Sequence, residues 1–269
     1  MTPVEVLRGN GPVILGQPHG GTFVPADILA RLNDRGRELT DTDWHINRLY
    51  AGLSADLTIV QASFHRYVID ANRDPAGGSL YPGQNTTDLC PLTDFDGLPV
   101  WDHAPNAAEI GLRRQQFHAP YHAALAAEIA RVKALHGVAV VFDCHSIRSQ
   151  IPFLFAGPLP LFNIGTDDGA TCNRAVADAV SAPCFAAADA VLNGRFKGGW
   201  TTRHYGNPAQ NVHAIQLEIA QKGYLDTELA PWAYSPAKAD PMRDTLSLCL
   251  HNLDRLARSG QIANGGYDA

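Results

Sequence analysis

Short apolar segments recur along the chain and predict buried strands. Six of them are four to six residues long and rich in Val, Ile, Leu or Phe, as buried β-strands are. They cover residues 12–16, 57–62, 67–71, 138–142, 152–155 and 214–219.

Stretches with helical periodicity lie between these segments. Asp41 can cap a helix in which Ile46, Leu49 and Tyr50 share one face. Three further helices are predicted over residues 106–135, with a bend or break near Pro120, and over 170–180 and 242–257. Strands that alternate with helices predict an α/β fold, in which a largely parallel or mixed central sheet has helices on both faces.

Residues 74–106 interrupt this alternation. The segment is rich in proline and glycine and has no helical period. An irregular segment of this length inside a compact domain is either a surface excursion or a functional loop that covers a site. We predict one domain over residues 1–269 that contains this long loop.

Composition narrows the class of protein. Of the 269 residues 45% are apolar, which is enough for a packed core, and the net charge of −6 comes without a basic stripe. We therefore expect neither nucleic acid nor a membrane as a partner, since no run of 18 apolar residues exists. The five scattered cysteines and the lack of a signal-peptide pattern suggest reduced thiols in a cytoplasmic protein. The oligomeric state is left open, and a homo-oligomer is possible.

Two histidines follow predicted strands and are candidate metal ligands. His19 follows the segment 12–16 and His145 follows 138–142. Ligands of open α/β sheets bind beyond the carboxyl ends of the strands, and neutral imidazole is a common zinc ligand. Each histidine could instead simply cap its strand through a hydrogen bond.

A catalytic zinc ion usually takes three protein ligands, so a carboxylate or a third histidine is needed. Asp43 is the candidate, although a carboxylate is also favourable at the start of a helix for electrostatic reasons alone. Asp143 could orient an imidazole from behind, or it could end its strand by bonding to nearby backbone.

Glu218 is a candidate general base. In the segment 214–219, Glu218 and Gln216 project to one face and three aliphatic side chains project to the other. A solvent-facing edge strand would give this pattern. A partly desolvated carboxylate with a raised pKa would give it too, and could accept a proton from water.

Arginines in two loop regions are candidate substrate ligands. Arg73 follows Asn72 at the end of a predicted strand, and Arg203 and His204 lie in a glycine-containing segment. Guanidinium groups bind carboxylates in a bidentate manner, which suits a small acid with one or two carboxylates. Any one of these arginines could instead form a surface ion pair.

Together these motifs resemble the N-formylglutamate amidohydrolases of bacterial histidine breakdown. The similar segments span nearly the whole chain: PHGGTFVP at 18–25, TDWH at 42–45, the long segment 65–97, PYH at 120–122, DCHS at 143–146, NIGT at 163–166, FKGGWTTRHYG at 196–206 and HAIQLEIA at 213–220. The long segment is the most specific. The family is also distantly similar to zinc carboxypeptidases and related deacylases, which implies a phosphorylase/hydrolase-like fold of the zinc-exopeptidase kind.

The resemblance implies a zinc-dependent hydrolysis of N-formyl-L-glutamate. By analogy His19 and His145 hold zinc, Asn72 and Arg73 bind a carboxylate, and Glu218 is the base. The relatives' His-x-x-Glu pattern is absent, since Thr22 stands three residues after His19. We therefore take Asp43 as the third ligand.

The same hypothesis assigns the remaining candidates. Arg66 donates a hydrogen bond to the negative charge that develops on the formyl oxygen. Arg73 and Arg203 bind the two substrate carboxylates, and His204 adds a hydrogen bond. The alternatives are a deacylase of another N-acyl amino acid and a non-catalytic binder of acidic metabolites.

Overall fold

A seven-stranded mixed sheet forms the centre of the molecule, seen in a computed structural model that describes residues 2–78 and 83–263. Its strands run in the order β1-β3-β2-β4-β7-β5-β6. The four middle strands are parallel, whereas β1 and the β5–β6 pair run antiparallel to them. The strand bounds are β1 Val4–Leu7, β2 Val13–Gln17, β3 Thr58–Ala62, β4 Ala139–Ile147, β5 Phe162–Gly165, β6 Ala190–Leu192 and β7 Val212–Ala220.

Helices cover both faces of this sheet. Their bounds are α1 Ala26–Leu29, α2 Asp34–Arg37, α3 Ile46–Tyr50, α4 Ala107–Arg113, α5 Ala119–His136, α6 Arg174–Ala187, α7 Trp200–Tyr205 and α8 Pro236–Arg258. Alternate residues of the strands point to opposite faces. Phe142 accordingly packs with residues of α3, α6 and α8, and Val141 packs with residues of α5. The predicted α/β class and mixed sheet are confirmed.

Four of the six predicted strands are present, as β2, β3, β4 and β7. The predicted strands at 67–71 and 152–155 are wrong, because the backbone of both segments forms turns. The segment 67–71 is wholly buried and therefore has the composition of a strand, yet Val68 N donates to His65 O within a turn. Strands β1, β5 and β6 are not predicted by the sequence pattern.

The predicted helices are present, with two corrections. Asp41 does not cap α3; the helix begins after His45, while the Asp41 carboxylate accepts hydrogen bonds from Tyr67 Oη and Phe95 N. The 106–135 helix is interrupted by a π-helical turn over Arg114–His118, and Pro120 lies in the first turn of α5, where proline is tolerated.

The segment 74–106 has neither helix nor strand in its described part, and residues 79–82 lie outside the described residues. Among the described residues, an isolated bridge between Leu32 and Trp101 joins it to the rest of the protein, and a second bridge, between Thr93 and Pro99, lies within the segment. In the described part of the chain, no helix is long and apolar enough to cross a membrane.

Candidate active site

The carboxyl ends of the three middle strands β2, β4 and β7 bring the main candidates together. His19 lies two residues beyond β2, whereas His145 and Glu218 lie within β4 and β7. The parallel register places His145 directly beside Glu218. Because β7 lies between β4 and β5, the edge-strand explanation for the Glu218 pattern is wrong.

His19, Asp43 and His145 form a buried cluster whose ligand atoms all lie within 4.8 Å of one another. The two Nδ1 atoms are 3.1 Å apart. Asp43 Oδ2 is 3.4 Å from Nδ1 of His145 and 3.9 Å from Nδ1 of His19. Thus the three residues that the sequence suggested as metal ligands meet in the folded chain.

Two neighbours hold the Asp43 carboxylate, and a third contact holds its backbone. Arg66 Nη2 donates to Oδ1 at 2.6 Å, and Ser146 N donates to Oδ2 at 3.1 Å. The backbone N–H of Asp43 donates to His19 O, which ties the segment before α3 to the end of β2. Since α3 begins only at Ile46, these contacts, and not the start of a helix, determine the orientation of this carboxylate.

A second carboxylate lies behind each histidine. Asp70 Oδ1 is 2.7 Å from Nε2 of His19, and Asp143 Oδ1 is 3.1 Å from Nε2 of His145. Carboxylates in this position fix the tautomer of a metal-ligating imidazole and leave its other nitrogen free to bind. Asp143 therefore faces an imidazole nitrogen, and it does not end its strand, which continues to Ile147. The role of Asp70 was missed in the sequence, although its position just before Asn72 offered a signal.

Burial and neighbouring charges shift the pKa values of all three cluster residues. Burial and the Arg66 guanidinium lower the pKa of His19 to about 4, so this imidazole is neutral near pH 7. Burial opposes the charged form of His145, but the carboxylates of Asp143 and Asp43 outweigh it and hold the pKa of His145 well above its usual range. Burial likewise opposes the charge of Asp43, yet Arg66 keeps the pKa of Asp43 low.

These atoms fit a divalent metal ion. Asp70 and Asp143 face the Nε2 atoms, so once His145 gives up its Nδ1 proton, two Nδ1 lone pairs and the Asp43 carboxylate are available to one cation. Ligand atoms roughly 2.0–2.1 Å from a tetrahedral ion lie about 3.3 Å apart, close to the spacings seen in the cluster. His19, Asp43 and His145 could therefore hold a metal ion.

Glu218 lies beside this cluster and is only 7% exposed. Burial raises the pKa of Glu218 from 4.5 to about 7, although His145 acts in the opposite direction. Gln216 Nε2 donates to its Oε2 at 3.1 Å. A carboxyl group with a pKa near neutrality can both accept and return a proton.

A cavity opens from the cluster, and its lining includes three arginines as well as apolar side chains. Of the predicted site residues, those that line it are His19, Arg66, Asn72, Arg73, His145 and Glu218. Arg66 also lies over the ring of Phe95, at 4.9 Å from its centroid. The structure thus brings six of the nine predicted residues together at this cavity. A seventh, Asp43, contacts two of them, His19 and His145, without being part of the lining.

Arg203 and His204 are not among the described residues that line the cavity. Arg203 Nη1 is 3.2 Å from Asp167 Oδ1, and its Nε donates to Gly198 O. His204 stacks on Trp200, with ring centroids 4.2 Å apart. These two side chains therefore contact Asp167, Gly198 and Trp200 and are not part of the described cavity lining.

Arg195 lines the cavity and was missed in the sequence. Its Nη2 donates to Asn85 O at 3.1 Å, and Arg73 Nε donates to Thr87 O at 2.9 Å. Residues 85–87 thus hold both guanidinium groups against the same cavity. The sequence offered one signal for Arg195, which is its position just before the glycine-containing segment that holds Arg203.

Asn72 is engaged inside the protein. Its Oδ1 accepts a hydrogen bond from Thr201 N at 2.8 Å, and its Nδ2 is 3.1 Å from Nε2 of His145. Asn72 therefore joins the start of α7 to the metal-ligand cluster as well as lining the cavity.

Solved structures define the class of fold. An N-formylglutamate amidohydrolase from Ralstonia eutropha JMP134 matches with a TM-score of 0.81 and 26% identity, over 97% of this chain and 100% of that one. A protein of Agrobacterium tumefaciens shares the fold at a TM-score of 0.72 and 19% identity, over 95% of this chain and 96% of that one.

Sequence comparison gives the family. The model of the N-formylglutamate amidohydrolase family matches residues 11–225, and the chain belongs to this family. The N-formylglutamate deformylase of Pseudomonas aeruginosa is 46% identical over 258 residues, which are 93% of this chain and 96% of that protein. The enzyme of the same name from Pseudomonas putida is 41% identical over 252 residues, which are 91% and 93% of the two chains. The resemblance noted in the sequence is confirmed.

Proposed function

We propose that this protein hydrolyses N-formyl-L-glutamate to formate and L-glutamate, as a step of histidine breakdown. The observation that carries the proposal is the meeting of the His19–Asp43–His145 cluster with buried Glu218 at a cavity that three arginines also line. The names of the two Pseudomonas relatives support the substrate. In this proposal residues 1–269 form one domain that carries the activity. The protein acts in the cytoplasm, a location that agrees with its five free cysteine thiols.

We assign His19, Asp43 and His145 as the ligands of a divalent ion, and zinc suits this set of two imidazoles and one carboxylate. When bound, zinc lowers the pKa of water to near 7 and polarises a carbonyl oxygen. Asp70, Asp143 and Arg66 would keep the three ligand side chains in place.

Glu218 is the base of the proposed reaction. It takes a proton from the attacking water while the water oxygen bonds to the formyl carbon. It then gives the proton to the amide nitrogen as the carbon–nitrogen bond breaks, so that formate and the amino group of glutamate leave. Its low exposure supports this role, because a desolvated carboxylate binds a proton more readily.

Arg66 is the proposed donor to the oxyanion. Its Nη2 is occupied by Asp43, but its buried Nε has no hydrogen-bond partner among the described residues. A donor that is already fixed needs no reorganisation as negative charge develops on the formyl oxygen.

Arg73 and Arg195 are the proposed ligands of the two substrate carboxylates. Both guanidinium groups line the cavity and both are anchored by residues 85–87. Local cations of this kind are required, because a net charge of −6 gives no general attraction for a dianion. In this proposal Arg195 takes the role that the sequence suggested for Arg203.

The direct test combines metal analysis of the purified protein with formate release from N-formylglutamate. We expect about one equivalent of zinc per chain and loss of turnover after chelation. Acetyl- and succinyl-glutamate should be poor substrates. Faster turnover of a bulkier acyl group would indicate another deacylase, and binding without turnover would indicate a metabolite-binding protein.

Substrate pairs test Arg195. N-formylglutamate and N-formylnorvaline differ mainly in the side-chain carboxylate. If Arg195 binds that carboxylate, Arg195→Met should lower kcat/KM for N-formylglutamate by about 10–100-fold and leave N-formylnorvaline nearly unchanged. An equal loss on both substrates would contradict this assignment.

A further inference from the structure

Gln216 lies two residues before Glu218 on β7, on the same face of the sheet, and is 3% exposed. Its amide makes two hydrogen bonds inside the protein. Gly199 N donates to Gln216 Oε1 at 2.6 Å, and Gln216 Nε2 donates to Glu218 Oε2 at 3.1 Å. A buried amide that links a backbone N–H to a cavity carboxylate is more than a space-filling residue.

The backbone of Gly199 fixes the orientation of this amide. A backbone N–H can only donate, so the amide oxygen of Gln216 must face Gly199 and the amide nitrogen must face Glu218. The Glu218 carboxylate therefore always meets a donor at Oε2. Its other oxygen, Oε1, is the one that remains for exchanging a proton with water or substrate.

Gly199 is itself held in place by close packing. It precedes α7, where a Cβ atom at position 199 would be 2.2 Å from Asn72 Nδ2, so no larger residue fits without displacement. Two residues later, Thr201 N donates to Asn72 Oδ1. The start of α7 is thus docked on Asn72 at one side and on Gln216 at the other.

We propose that Gln216 is a positioning residue, which holds the carboxylate of Glu218 in the single orientation from which it transfers a proton. This inference rests on the proposed role of Glu218 as the base. The terminal torsion of a glutamate side chain is broad, and a fixed donor at one oxygen removes that freedom. Reacting groups must be aligned closely, and small misplacements are costly in rate.

Gln216→Met tests this proposal, because methionine keeps the length of the side chain and removes both hydrogen bonds. A hydrogen bond to a charged group is worth enough that kcat should fall by about 10–100-fold. KM should change much less and the zinc content should stay unchanged, since among the described residues no hydrogen bond joins the Gln216 side chain to the predicted ligands or to the arginines. Unchanged kcat would overturn the proposal.

A double-mutant cycle separates positioning from a merely structural effect. In a Glu218→Gln background there is no base left to position, so adding Gln216→Met should change the residual kcat by less than about twofold. An equal loss in both backgrounds would overturn the proposal. If Glu218→Gln alone retained wild-type kcat, the proposed function of Glu218 would fail, and this result does not depend on any Gln216 variant.

Two further variants complete the design. Gln221→Met removes another buried amide, which bonds to Thr42 O, and should leave kcat nearly unchanged. Gln216→Asn keeps an amide that is too short to reach both partners, and serves if the methionine variant does not fold. We expect it to lose kcat in the same way; full activity in a folded Gln216→Asn variant would overturn the proposal.

Discussion

Replacing Glu218 with glutamine should affect activity and stability in opposite directions. Glutamine keeps the size of the side chain and its hydrogen bonding but cannot accept a proton. Positioned acid–base groups contribute about 10²–10⁴-fold to the rate, so kcat should fall by at least two orders of magnitude. Zinc content and KM should stay near wild type, because Glu218 is not one of the three proposed ligands.

The effect on stability follows from the burial of the carboxylate. Burial raises the pKa of Glu218 from 4.5 to about 7, so the folded protein binds a proton more tightly than the unfolded chain does. The stabilisation that this gives is fully present below pH 4.5 and is lost as the pH rises to 7. The loss amounts to about 3 kcal/mol. Above pH 7 the ionised carboxylate is therefore a cost to the metal-free protein, and the neutral glutamine avoids it.

The metal-free variant should accordingly be more stable than the metal-free wild type at pH 8. For a chain of this size a gain of about 3 kcal/mol corresponds to a rise in Tm of about 5 °C. Thermal unfolding of chelator-treated protein at pH 8 and at pH 4.5 measures it, and the gain should disappear at the lower pH.

Two results would refute this reasoning. Turnover within tenfold of wild type would show that another group is the base. Loss of zinc in step with activity would make Glu218 a metal ligand, and Asp43 would then serve only to orient its neighbours.

Three further variants test the remaining assignments. Asp70→Asn should weaken zinc binding by about 10–100-fold, measured by competition with a chelator, because the carboxylate behind His19 is lost; an unchanged zinc affinity would show that Asp70 does not orient this ligand. Arg203→Lys should leave KM for N-formylglutamate within about twofold of wild type, because Arg203 pairs with Asp167. Arg73→Lys should raise KM by about tenfold, because lysine lacks the planar guanidinium group that binds a carboxylate in a bidentate manner. Equal effects of the two lysine variants in steady-state assays would contradict the placement of Arg203 outside the cavity.

The sequence alone predicted the centre of the fold, because three of its four strands, β2, β4 and β7, are buried on both faces. Strands β2, β3, β4 and β7 are short apolar segments, and such segments carry a strong signal. Strand β1, with its alternating half-buried residues, and the three-residue β6 carry a weak one. The segment 67–71 misled the prediction because burial selects apolar residues in turns as well as in strands. The segment 152–155 is an apolar turn whose residues are exposed or half-buried, so its composition alone imitated a strand.

The sequence also predicted His19, His145 and Glu218 from their positions at strand ends and from strand parity. Neither property depends on distant parts of the chain. Asp43 was consistent with a metal ligand, but an ordinary helix start explained it equally well until its contacts with Arg66 and Ser146 were seen.

Only the tertiary structure decided which long-range partners complete the site. Asp70 faces His19 across 51 positions of sequence, and Gly199 bonds to Gln216 through the docking of α7 on the sheet. Arg195, and not Arg203, faces the cavity, although both lie close to the same glycine-containing segment. Local patterns determine which face of a strand or helix a residue occupies, whereas the direction of a loop side chain depends on what packs around it. The cavity's cationic lining comes from loops, and so the sequence could supply its candidates but could not choose among them.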